Sequence, residues 1–117
     1  MKKNPIIIKN NIVPKLFSLF IPIAAITLWP FIFVKEEYAE DEVLINHETI
    51  HFYQYQELWV VGLYFLYMYD WIHGLIKYKD PTRAYFKIRF EQEAYMWQEN
   101  MLYAECRKPF AWKRFKV

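Results

Sequence analysis

A chain of 117 residues with a net charge of +2 is the size of one domain, with room for a core but none for a separate substrate-binding lobe. Apolar residues make up 56% of it and aromatics 21%, yet glycine occurs only twice, which argues against a turn-rich β-sandwich and for long helices. Cys106 stands alone, so an internal disulfide and a cysteine-built zinc site are excluded, and a reducing, intracellular compartment is expected.

Residues 1–15 carry Lys2, Lys3, Lys9 and Lys15 without an acid, around a short β-like run, Ile6-Ile7-Ile8. A lysine pair, Asn4-Pro5 and three apolar residues do not make a secretory signal peptide. Residues 16–34 hold no charge over 19 positions, long enough to span a bilayer, but Pro22 and Pro30 interrupt the run. Ile26, Thr27 and Phe31 to Val34 favour extended chain, so a strand is predicted over 23–34, with a proline-kinked membrane helix as the alternative.

Acids cluster next, and Asp41 is the expected N-cap of a helix over 42–61 that Gly62 breaks or kinks. Residues 58–76 are apolar except for Asp70 and His73, and an apolar helix is predicted over 62–77. A helix apolar on every side needs lipid or protein around it, so this run implies a membrane surface or an oligomer partner. Asp80 and Pro81 then open a helix predicted over 81–106. The tail, 107–117, is basic and aromatic, with Arg107, Lys108, Lys113, Arg114 and Lys116 beside Phe110, Trp112 and Phe115. Such a tail suits solvent or an anionic membrane surface. No nucleic-acid motif accompanies it, and no nucleic-acid partner is expected.

The chemistry is carried by His47-Glu48-Thr49-Ile50-His51. Residues four apart share a helix face, so both imidazoles can grip one Zn²⁺. Glu48 then faces the attacking water as general base. Two histidines leave zinc one protein ligand short of a catalytic set. The metzincin extension would need glycine at 54 and histidine at 57, and Gln54 and Glu57 stand there. The remaining candidates are Asp70, His73, Glu91, Glu93 and Glu99; Glu91 and Glu93 lie about 200° apart on a helix, so one at most faces the metal.

With its HExxH and a later Glu91-Gln92-Glu93-Ala94, the chain resembles the gluzincin metallopeptidases, especially their minimal single-domain members. The resemblance covers residues 23–106 in layout. It implies an α+β fold, mainly helical with a short β element, in which the HExxH helix packs against a later glutamate-bearing helix. It further implies Glu91 as third zinc ligand and Ala94 as the small residue that lets the helices close. The family's next position is commonly Asp and is Tyr95 here, which leaves no charged partner to orient a histidine. Supporting roles are open to Gln54, though a surface amide is the simpler reading, and to Tyr53, Tyr55 and Tyr95 as oxyanion donors. Arg83 and Arg89 could hold a substrate carboxylate.

Two functions follow as expectations. One is a zinc-dependent hydrolase, a small metallopeptidase acting on a peptide or protein, with an extended substrate paired to the 23–34 strand. The other is a protein associated with the cytoplasmic membrane whose HExxH site is structural or regulatory. Retention of Glu48 favours the first.

Overall fold

The computed structural model describes residues 4–18 and 23–117. Pro22 and the lysines at 2 and 3 lie outside them. Three short strands form one sheet in the order β1-β3-β2, with β1 at Ile6–Lys9, β2 at Ala25–Leu28 and β3 at Phe31–Val34. β1 runs parallel to β3 and β2 antiparallel to it. Helix α1, Ile12–Leu16, joins the first strand to the rest, and a 3₁₀ turn over Glu36–Tyr38 leads out of the sheet. The helices that follow are α2 (Glu42–Glu57), α3 (Val61–Tyr78), α4 (Pro81–Phe86), α5 (Arg89–Trp97) and α6 (Tyr103–Cys106), before a final 3₁₀ turn at Ala111–Arg114. The fold is α+β, mainly helical.

Alternation orients the sheet. Ala25, Thr27, Ile32 and Val34 are buried on the face that meets α2, whose Ile50 and Phe52 are fully enclosed. On its other side α2 packs against α5, where Ala94 closes a core with Ile50, Phe52, Tyr53 and Ala104. Gly74 of α3 lets α4 approach so closely that a Cβ there would stand 3.0 Å from the Cα and Cβ of Ala84.

Several expected elements are divided. The strand expected over 23–34 is a hairpin, turning at Trp29-Pro30. Asp41 caps α2 as its sequence predicts, accepting from the Leu44 N–H at 3.0 Å. But α2 ends at Glu57, not 61, because Trp59 and Val60 both take positive φ while the Val60 N–H returns to the Tyr55 carbonyl. Gly62 therefore lies inside α3, which begins at Val61 and ends at Tyr78. The helix expected over 81–106 is three. Asp70 accepts the Arg89 N–H at 3.1 Å and so starts α5 afresh, and Asn100 takes the N–H of Leu102 just ahead of α6. The tail folds back rather than trailing into solvent: Arg107 and Trp112 are buried.

Among the described residues, no helix is long and apolar enough to cross a membrane.

Candidate metal centre

α2 delivers His47, Glu48 and His51 to one buried face, and these three offer one nitrogen or carboxylate oxygen each within 4.8 Å of one another. Such a group could hold a metal ion. α5, crossing α2, brings a fourth side chain closer still. Glu91 Oε1 lies 3.0 Å from both His47 Nε2 and His51 Nε2, and those nitrogens are 3.2 Å apart. Glu48 stands further off, with Oε2 3.9 Å from His47 Nε2.

The donor set fits zinc. Atoms about 2.0–2.1 Å from one tetrahedral ion are about 3.3 Å apart, close to the triangle formed by the two Nε2 atoms and Glu91 Oε1. The tautomers fit as well. His51 Nδ1 is 2.7 Å from Gln54 Oε1, while Gln54 Nε2 donates to the Phe90 carbonyl at 3.1 Å and to Glu93 at 2.9 Å. Two acceptors on the amide nitrogen fix its orientation. The imidazole must therefore donate from Nδ1 to Gln54, which turns Nε2 toward the cluster. Gln98 Oε1 lies 2.9 Å from His47 Nδ1.

Charge is concentrated here. Burial alone would lower the His51 pKa, but the Glu91 carboxylate beside it pushes it up to about 9. Burial alone would raise Glu91, yet the two imidazoles hold it well below the usual carboxylate range. Burial raises Glu48, and the histidines only partly oppose this. Thr27 Oγ1 lies 2.9 Å from both the carbonyl and Oε1 of Glu48, and its one proton can serve either. Tyr67 donates to Glu91 Oε2 at 2.7 Å and Tyr85 to Oε1 at 3.1 Å. Burial, then the charge of Glu91, raises both phenols, so they stay protonated donors.

The other candidates separate cleanly. Glu93 is fully buried but turned away, held by Gln54, Tyr103 and a two-pronged contact from Arg107 at 2.7 and 2.8 Å. Asp70 grips Arg89. His73 and Glu99 are exposed. Gln54 is no surface amide; it is completely enclosed. Tyr95 packs edge-on to His47 with centroids 4.4 Å apart, and its hydroxyl meets that of Tyr85. Tyr55 donates to the Thr27 carbonyl at 2.8 Å, and Tyr53 lies in the core. Arg83 rests over the Tyr78 ring, away from the cluster.

Thr27, Tyr67, Tyr85 and Gln98 join the site as well. Gln98 had a signal, since it follows Glu91 by seven residues, two helical turns along one face. Nothing singled out Tyr67 and Tyr85 among ten tyrosines. No family model, no curated protein and no solved structure matches this chain.

Proposed function

We propose that this chain is a zinc-dependent hydrolase, a small metallopeptidase of zincin-like layout. His47, His51 and Glu91 hold the metal and Glu48 is the general base. The observation that carries this reading is the convergence of three donor atoms within 3.0–3.2 Å of one another, with a carboxylate beside them. Zinc in that triangle would supply Lewis acidity, lowering the pKa of an attacking water and polarising the scissile carbonyl. Glu48 takes the proton of that water as the new carbon–oxygen bond forms. It then returns the proton to the departing amine as the carbon–nitrogen bond breaks, leaving a carboxylic acid and an amine. Thr27 steadies Glu48, and Tyr67 and Tyr85 steady Glu91.

β2 is an outer strand of the sheet and, with Ala24 before it, lines the cavity over the cluster. Ala24 accepts from Lys35 N–H on the β3 side, so by antiparallel alternation Ala25 and the Thr27 N–H turn to the outer edge, the Thr27 carbonyl being taken by Tyr55. That edge offers an extended peptide its partners.

The test joins metal analysis to peptide turnover. One zinc per chain is expected, lost in the His47→Ala, His51→Ala double variant and kept in Glu48→Gln. Turnover by Glu48→Gln should fall about 10²–10⁴-fold or more. Stoichiometric zinc in the double variant would overturn the metal assignment, and undiminished turnover by Glu48→Gln would overturn the role of the base.

A second reading draws on the exposed apolar face of α3, where Val61, Phe65, Met68, Tyr69, Ile72 and Ile76 recur at helical spacing. It is a membrane-associated interaction protein with a structural or regulatory metal. Bound zinc without turnover of any peptide would favour it.

A further inference from the structure

The cavity above the cluster has a volume of about 560 Å³. That lies inside the range of about 300–1,000 Å³ common to small-molecule sites. Among the described residues, its charged or titratable nitrogen and carboxylate groups are those of His47, Glu48, His51 and Glu91, all members of the metal-facing cluster. Among the described residues, no lysine or arginine lines it. Arg89 is committed to Asp70, and Arg83 lies over Tyr78. The walls are built from Ile26, Leu28, Leu44, Leu63, Met68 and Ile88.

Among the phenols in this lining, Tyr55, Tyr67 and Tyr85 are committed too. Tyr55 donates to Thr27, Tyr67 to Glu91, and Tyr85 is shared between Glu91 and Tyr95. What they offer an incoming group is the face or edge of a ring. A charged group entering this space sheds water and finds no counter-charge beyond the cluster, which is strongly unfavourable. An apolar group loses nothing and gains burial. The mouth continues the pattern. Phe17 just after α1, and Tyr64 and Met68 on α3, line the cavity and remain exposed.

We propose that the group flanking the hydrolysed bond is an uncharged, apolar chain, aliphatic or aromatic, and that a chain ending in charge is refused. This rests on the hydrolase reading above, and its test keeps the two apart.

Calorimetry on zinc-loaded protein would compare acetohydroxamate, octanoyl hydroxamate and octanedioic acid monohydroxamate. The first reports the metal alone. The second adds an apolar chain, and the third gives a chain of the same length a carboxylate end. Each buried methylene is worth about fourfold in affinity. The octanoyl compound should therefore bind more than about 100-fold tighter than acetohydroxamate, and the carboxylate-ended one should lose most of that gain. Met68→Asp, at a position 53% exposed, should weaken the octanoyl compound about tenfold or more and leave both acetohydroxamate and the melting temperature unchanged. If acetohydroxamate does not bind zinc-loaded protein, the hydrolase reading falls and the proposal with it. If it binds but chain length adds nothing, or the carboxylate-ended compound equals the octanoyl one, the proposal alone falls.

A hexadecanoyl hydroxamate dissolved in phosphatidylcholine vesicles separates two sources of the chain. Retention on these vesicles and not on plain ones assigns a lipid-held chain. Tight binding of the free octanoyl compound without vesicle retention assigns a soluble one. Either outcome supports the proposal.

Discussion

Glu91 and Glu93 sit two residues apart on α5, both buried, and are asked to do different things. Glu91 closes the triangle with the histidines, whereas Glu93 neutralises Arg107, whose side chain is 2% exposed. Glu91→Ala should reduce zinc affinity more than about 100-fold, beyond the about 10–100-fold typical of an outer partner. Glu93→Ala leaves a buried guanidinium with Glu57 alone of its two carboxylate partners and should cost about 3 kcal/mol of stability. Thermal melts and zinc titrations on the two variants check this; an equal loss of zinc from both would sink the division of roles. Protons report on the same triangle. His51 in the metal-free protein keeps its proton up to about pH 9, because Glu91 outweighs the burial that would lower it, whereas zinc takes only the neutral imidazole. Binding near neutrality should therefore release about one proton, and affinity should rise about tenfold per pH unit between pH 7 and 8. Calorimetry in buffers of different ionisation enthalpy measures that proton, and a count of zero would contradict the assignment. Of these residues, His47, Glu48 and His51 were legible because one helix encodes their whole relation in five positions. Gln54 was not: its burial depends on Glu93 and Phe90, some forty positions on, which no local pattern records.

Among the elements, α3 and α4 form the tightest junction. Alanine is normally the better helix former, so Gly74→Ala would be favourable in isolation. The backbone of Ala84, 3.0 Å from where the new Cβ must lie, cannot step aside as a side chain would. The variant should lose about 1–3 kcal/mol. Gly62→Ala is the control, because its Cβ would meet only the Leu58 side chain at 3.3 Å, and it should be neutral or stabilising by up to about 1 kcal/mol. Melting temperatures that move the same way in both variants would contradict this account. Helix starts were readable from Asp41 and from Asp80-Pro81, where caps are local. Helix ends were not. Trp59 and Val60 turn the chain in conformations usually left to glycine, so the break falls where no glycine marks it. The start of α5 is set by Asp70 from another helix, and a contact across 19 positions is invisible to a sliding window.

The whole molecule is tightly drawn in. Its radius of gyration is 13.6 Å, against about 13.4 Å expected for a chain of this length, so exposed apolar residues are not the result of loose packing. Trp59 is 87% exposed, Phe65 73% and Ile76 73%. Lys77, Arg83 and Lys87 gather around Tyr78 at the far end of the same helix. Such a surface should bind vesicles containing anionic lipid, and Phe65→Asp should weaken the association about tenfold or more while leaving the melting temperature in place. Flotation at low and high salt is the measurement. A monodisperse monomer that ignores vesicles at both salt concentrations would remove the membrane reading. The apolar excess was plain in the composition, but its division between core and surface was not, since that depends on which face of α3 meets α4 and α5.

One line of polar contacts runs from the cluster to the end of the chain: His51 to Gln54, Gln54 to Glu93, Glu93 to Arg107, Arg107 to Glu57, and Glu57 to the Phe110 N–H. The C-terminal segment is thus in series with a metal-facing imidazole, like the far anchor of a guy rope. Clipping the chain between Arg107 and Phe110 would remove that anchor without touching any donor atom. The slack would be felt at His51, as zinc leaving sooner.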